Sequence, residues 1–173
     1  MGDAVQTLPV LKLLKRQKAE SAVTLLCLKE LSGIFSRTPF LDRIVSLPAV
    51  DVAPMRGRLP FEGFNDYGEL LEEYDSVVNL THNWIGGFFS ARVKGKFKFG
   101  LVNSDHSVGQ VKSDRAKYLF ASQKCRIENL FNIVDMHSAM AGLFPEPVRG
   151  YMQIREDEID EGYSLLRQPV HGA

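Results

Sequence analysis

The sequence predicts one α+β domain that is predominantly α-helical, a packed helical core with one β hairpin or strand around residues 88–102. Three observations carry this expectation. Apolar residues recur at three- and four-residue steps over 67–88, over 89–101 they alternate with Ser, Arg and Lys, and 114–142 is a capped and Gly-stopped stretch whose second half is nearly all apolar. At 173 residues, 45% hydrophobic and 24% charged, the chain has an ordinary folded-domain composition and the length to bury about 70% of its unfolded surface.

Taken in order, a first helix is expected over 8–17, with Leu11 and Leu14 on one side and Pro9 in its first turn. A second, over 19–35, places Val23, Leu25, Leu26, Leu28, Leu31, Ile34 and Phe35 around more than half its circumference, the mark of a central buried helix. A short helix over 39–46 would follow, with Thr38 as cap and Pro39 at its first position. Residues 47–63 have no period and hold Pro48, Pro54, Pro60, Gly57 and Gly63, so they read as a long loop or an arm onto a neighbour. Met55, Arg56, Arg58, Leu59 and Phe61 are the partner-facing candidates in that arm.

The periodicity over 66–88 predicts the clearest helix, capped by Asp66 with Glu69 three residues on and weakened or ended at Gly86-Gly87, the competing reading being a helix that continues through Phe89 to Val93. From Phe89 to Leu101 one parity is apolar and the other carries Arg92, Lys94, Lys96 and Lys98. A three-residue turn at Lys94-Gly95-Lys96 or a single long strand keeps the two faces distinct, with Phe97 and Phe99 pointing into the core. A polar loop over 103–112 leads to a long helix over 114–142, capped by Ser113 or Asp114 and stopped by Gly142 with Pro145 and Pro147. An acidic helix over 156–166 would bury Ile159, Tyr163 and Leu166, and the tail 167–173 carries no fold signal.

The formal net charge of zero hides four blocks. Residues 1–61 are net +4, 62–83 net −6, 84–126 net +7 and 127–173 net −5. Segregation on this scale makes local fields that attract partners of opposite sign, or lets blocks neutralise one another within the fold or across a homo-oligomer. The third block is the candidate surface for nucleic acid or another polyanion: Arg92, Lys94, Lys96, Lys98, Lys112, Arg115, Lys117, Lys124 and Arg126. Alternating lysines also protect a strand edge from aggregation, which is the plainer explanation of the same pattern.

Catalytic signatures are missing from the sequence. It has no His-Glu-x-x-His, Cys-x-x-Cys, Gly-x-Ser-x-Gly or phosphate-loop pattern. His82 and His137 lack the carboxylate spacing of a metal site and read as core-edge histidines, and no metal or cofactor is expected. Cys125 lies between Lys124 and Arg126, but adjacent helix residues do not face one another, so its activation would be modest. Cys27 and Cys125 read as reduced thiols of a cytoplasmic protein, and the tripeptide Asn79-Leu80-Thr81 as an accidental glycosylation match inside a helix. The longest apolar run, Ala22 to Leu28, stops at Lys29, far short of the roughly 18 residues that span a membrane, so no membrane partner is expected.

The function these features favour is a non-catalytic binding or assembly module, a subunit of a homo-oligomer or larger complex. One alternative is a nucleic-acid-binding protein working through 92–126; another is a small enzyme built on Cys125, His137 and His82.

Overall fold

Two β–α–β units, not a helical bundle, organise the chain. The computed structural model describes residues 2–48, 70, 72–81, 83–103, 110–124, 131–147, 152 and 154–167. It opens with α1 (Gly2–Val5) and α2 (Leu8–Gln17). The first unit follows as β1 (Thr24–Leu28), α3 (Lys29–Phe35) and β2 (Arg43–Leu47), its strands parallel with Leu26 opposite Val45. The second is β3 (Glu73–Val78), α4 (Trp84–Arg92) and β4 (Lys94–Val102), again parallel, with Val78 opposite Phe99. A short strand β5 (Gln110–Lys112) returns antiparallel against the end of β4. Then come α5 (Asp114–Lys124), α6 (Ile133–Met140) and α7 (Glu156–Arg167).

Packing ties these pieces together. Helix α2 buries Leu8 and Leu11 against Val23 and Phe35 of the first unit, and Val10 and Leu13 against Leu143 beyond α6. Its two apolar sides therefore join the N-terminal unit to the C-terminal segment. Phe88 and Phe89 of α4, in edge-to-face contact at 5.6 Å, share a cluster with Val45 and Leu47 of β2. On the other side, Ala116 and Leu119 of α5 and Met136 and Met140 of α6 cover Val78 and Phe99.

The predominantly helical expectation is thus corrected to a mixed α+β fold, with two sheets among the described residues, one of two strands and one of three. The expected helix over 19–35 is a strand followed by a helix, and the one over 39–46 is β2. Each strand is only five residues long, Thr-Leu-Leu-Cys-Leu and Arg-Ile-Val-Ser-Leu, too short for its period to separate it from a buried helix. The expected helix over 66–88 is β3 plus α4; Asp66 and Glu69 lie outside the described residues. Strand pairing of Glu73–Val78 with β4 prevails there over the three- and four-residue spacing. Helix α4 runs through Gly86-Gly87 to Arg92, so the β structure begins at Lys94 and is a single strand without a turn at 94–96. The expected helix over 114–142 is two helices, the second capped by Asn132, whose Oδ1 accepts the Val134 N–H at 2.8 Å. Gly142, at φ +75°, ends it as the sequence expects.

Candidate binding surfaces

Several side chains of the basic segment have local partners. Lys94 and Lys96 are exposed at the start of β4, and among the described residues Lys94 makes no hydrogen bond or ion pair. Lys98, two residues on, folds back: its Nζ donates to the Ala91 carbonyl at 2.8 Å, and burial holds its pKa below the usual lysine value. The Arg92 guanidinium stacks on the Phe88 ring at 3.5 Å from its centroid. Lys112 donates to Gln110, Lys117 pairs with Asp114, and Arg115 donates to the Ala139 carbonyl at 2.8 Å. The Lys124 side chain and Arg126 lie outside the described residues, as do Met55, Arg56, Arg58, Leu59 and Phe61.

One aromatic departs from the expected core. Phe97 and Phe99 share a strand face, but α5 and α6 cover only Phe99; Phe97 is 53% exposed, with Lys96 Nζ at 5.5 Å from its ring. The beginning of β4 therefore offers two exposed lysines, Lys94 and Lys96, and a half-exposed phenyl ring that Lys96 overlies.

Sequence reasoning missed a polar junction at the carboxyl ends of β3 and β4. Asn79, buried just past β3, donates from Nδ2 to the Leu101 carbonyl at 2.8 Å and accepts from both the Thr81 N–H and its hydroxyl. Its own N–H reaches the Phe99 carbonyl at 2.9 Å. Asn83 caps α4 through the Gly86 N–H, and the Asn103 N–H reaches the Gly87 carbonyl. The carboxyl ends of parallel strands are where open α/β sheets take ligands. Here the chain's own asparagines occupy that position and satisfy the backbone. The sequence signal was the Asn79-Leu80-Thr81 tripeptide, which belongs to this junction and not to a helix interior.

Of the residues of the enzyme alternative, one lies among the described residues. His82 and Cys125 lie outside the described residues, and His137 is buried on α6 beside Ser138. No group of His, Cys, Asp or Glu that could hold a metal occurs among the described residues. Cys27 sits half-buried in β1, and desolvation pushes its thiol up to about 11, away from the reactive range.

Bare apolar side chains gather in the C-terminal third. Tyr118 and Phe131 meet edge-to-face at 5.8 Å on the surface, and Phe144 is 81% exposed. On α7 the expected buried stripe is open, with Ile159 at 43% and Tyr163 at 59% exposed between acidic residues. A cleft of about 270 Å³ is lined by Phe99, Ala139, Met140 and Gly142 and by Ser113, Asp114 and Arg115. Among the described residues no helix is long and apolar enough to cross a membrane. No protein-family model, curated protein or solved structure matches the chain.

Proposed function

We propose that this chain is a non-catalytic assembly module that associates with itself through its segregated charged and apolar surfaces. The observation that supports the reading is the set of exposed apolar side chains set among charged ones, mostly acidic on α7, where Arg155 pairs with Asp157, and basic at the start of β4. Ile154, Ile159 and Tyr163 lie among Glu156, Asp157, Asp160 and Glu161, and Phe97 lies beside Lys94 and Lys96. Exposed apolar area rimmed by polar groups marks interaction surfaces, and acidic and basic versions on one chain suit a second copy. Sedimentation velocity over a dilution series tests it, with a mass above 19.4 kDa that declines on dilution as the expected result. A monomer at every concentration and at low salt overturns it.

A second reading has its own support in Phe97. A half-exposed ring beside exposed lysines is a combination that can stack a base and neutralise phosphate, provided Lys96 moves off the ring it overlies. Binding of labelled single-stranded oligonucleotides at low salt, abolished by Phe97→Ala with Lys94→Glu and Lys96→Glu, is the expected result for that reading. No binding at low salt removes it.

A further inference from the structure

We infer that the first half of β4 is an open edge that takes one further strand, an extended segment of another polypeptide in which acidic and apolar residues alternate. Self-association is not required for it. Strand β4 is nine residues long, but its neighbour β5 is three and pairs only with Gly100, Leu101 and Val102. On that side no strand among the described residues accompanies Lys94 to Phe99, whereas β3 runs beside this stretch on the other. The cause lies in the residue after β5. Ser113 has φ +76°, and this left-handed residue turns the chain out of the sheet and into α5. Where a longer β5 would have continued there is space: Ser113 and Phe99 both line the cleft of about 270 Å³.

The backbone is turned the right way for pairing. The Phe99 carbonyl accepts the Asn79 N–H and the Leu101 carbonyl accepts the Asn79 side chain, so both point toward β3. Alternate residues of a strand direct their N–H and C=O to opposite neighbours. Lys98 and Lys96 therefore present theirs on the side that no described strand occupies, and such an edge is a template for strand addition. Side chains decide which strand enters. Opposite charges side by side stabilise a strand pair and like charges destabilise it, so a row of lysines disfavours a basic strand and favours an acidic one. The strand that β4 holds on its closed edge has this chemistry: β3 begins Glu-Tyr-Asp, with Glu73 opposite Lys94. On the open edge Lys94 and Lys96 are exposed, and Phe97, on the opposite face, is 53% exposed. An incoming strand meets lysine on one face and a phenyl ring on the other, and acidic residues alternating with apolar ones match both.

Synthetic peptides added to the isotope-labelled full chain test this. The probe is Val-Glu-Val-Glu-Val-Glu-Val with blocked ends. One control replaces each Glu by Lys; the other, Val-Glu-Pro-Glu-Pro-Glu-Val, keeps the charge but cannot form the ladder. The probe is expected to slow hydrogen exchange at the Lys96 and Lys98 amides, to weaken with added salt, and to bind about tenfold or more tightly than either control. Lys94→Glu with Lys96→Glu, both at exposed positions, should weaken the probe and strengthen the lysine peptide, a reversal that misfolding does not produce. Unchanged exchange at Lys96 and Lys98 with millimolar probe overturns the proposal, as does equal binding of the lysine peptide or of the proline peptide. Peptide binding by a chain that sediments as a monomer throughout ends the assembly reading and supports this one.

Discussion

In the first β–α–β unit a seven-residue helix joins two five-residue strands, and its one glycine, Gly33, has open space around it. In the second, a nine-residue helix joins strands of six and nine residues. There Gly86, Gly87 and Gly100 leave no room for a methyl group. The units also differ in what closes them. Asp42 closes the first from outside: its carboxylate accepts the Val23 N–H at 2.6 Å and pairs with Lys15 of α2 at 2.7 Å. Buried asparagines close the second from within. The same connectivity can therefore be held by a solvated charge, which tolerates change, or by a polar junction with no clearance, which does not.

The sharpest way to break that contrast is Gly100→Ala. Gly100 has φ +91°, and an added Cβ would lie 2.2 Å from the Asn79 carbonyl oxygen. The left-handed backbone costs a non-glycine residue roughly 1–2 kcal/mol, and overpacking against backbone roughly 1–3 more. Chemical denaturation is expected to show a loss of about 2–5 kcal/mol. A loss below about 1 kcal/mol would mean that the junction yields easily and that the two units are alike.

Next in size is Asn79→Ala. It removes the partner of the Leu101 carbonyl and of the Thr81 N–H, and the loss of these two part-buried bonds costs about 1–2 kcal/mol. Asn79→Asp keeps the acceptor for Thr81 but withdraws the donor to Leu101, so it should remain destabilised. Full stability of the Asp variant in thermal melts would locate the strength of the junction at Thr81 alone.

How much of this was legible in the sequence differs between the two units for physical reasons. The Lys94-x-Lys96-x-Lys98 alternation identified β4 because one face is charged and the other apolar. Thr24–Leu28 and Arg43–Leu47 gave no such signal, since each is five residues long and neither separates a charged face from an apolar one. Helix α3 starts directly after β1 with Leu28 at its cap and no side-chain hydrogen bond, so nothing marks the boundary. At β3 the residues Tyr74, Val77 and Val78 fit a helical stripe that continues into Ile85 and Phe88. Only the pairing with β4, a contact distant in sequence, breaks that stripe at Asn79. Of the candidate surfaces, the charge blocks could be read directly. The exposure of Phe97 and Phe144 could not, because it depends on where α5 and α6 stop covering the sheet and on the bonds from the Gln17 side chain to the Phe144 backbone.

The pH dependence of the first unit sharpens the comparison further. Hydrogen bonding from Lys15 and from the Val23 N–H holds the Asp42 pKa below the usual aspartate value. A carboxylate depressed in the folded state stabilises fully above its unfolded pKa of about 3.9 and loses that contribution as pH falls through the folded value. The pair is partly open to solvent, so it contributes at most about 1 kcal/mol at neutral pH. Lys15→Met should lower stability by that amount at pH 7, with the difference from the parent chain shrinking below pH ~4. A difference that persists unchanged into acid would mean that Lys15 acts through its packing and not through Asp42.

The smallest effect has the opposite sign and tests the tolerance of the first unit directly. Gly33 lies inside α3, and a Cβ built on it meets nothing within 4 Å. Alanine removes the backbone freedom that glycine has in the unfolded chain and adds no clash, so Gly33→Ala should stabilise by about 0.5 kcal/mol. The same change at Gly86 would put a Cβ 1.9 Å from the Thr81 hydroxyl oxygen. Measured side by side in urea, the two glycine-to-alanine changes should move the midpoint in opposite directions. Two losses of similar size would show that α3 is held as tightly as α4, and that the open space around Gly33 does not translate into tolerance.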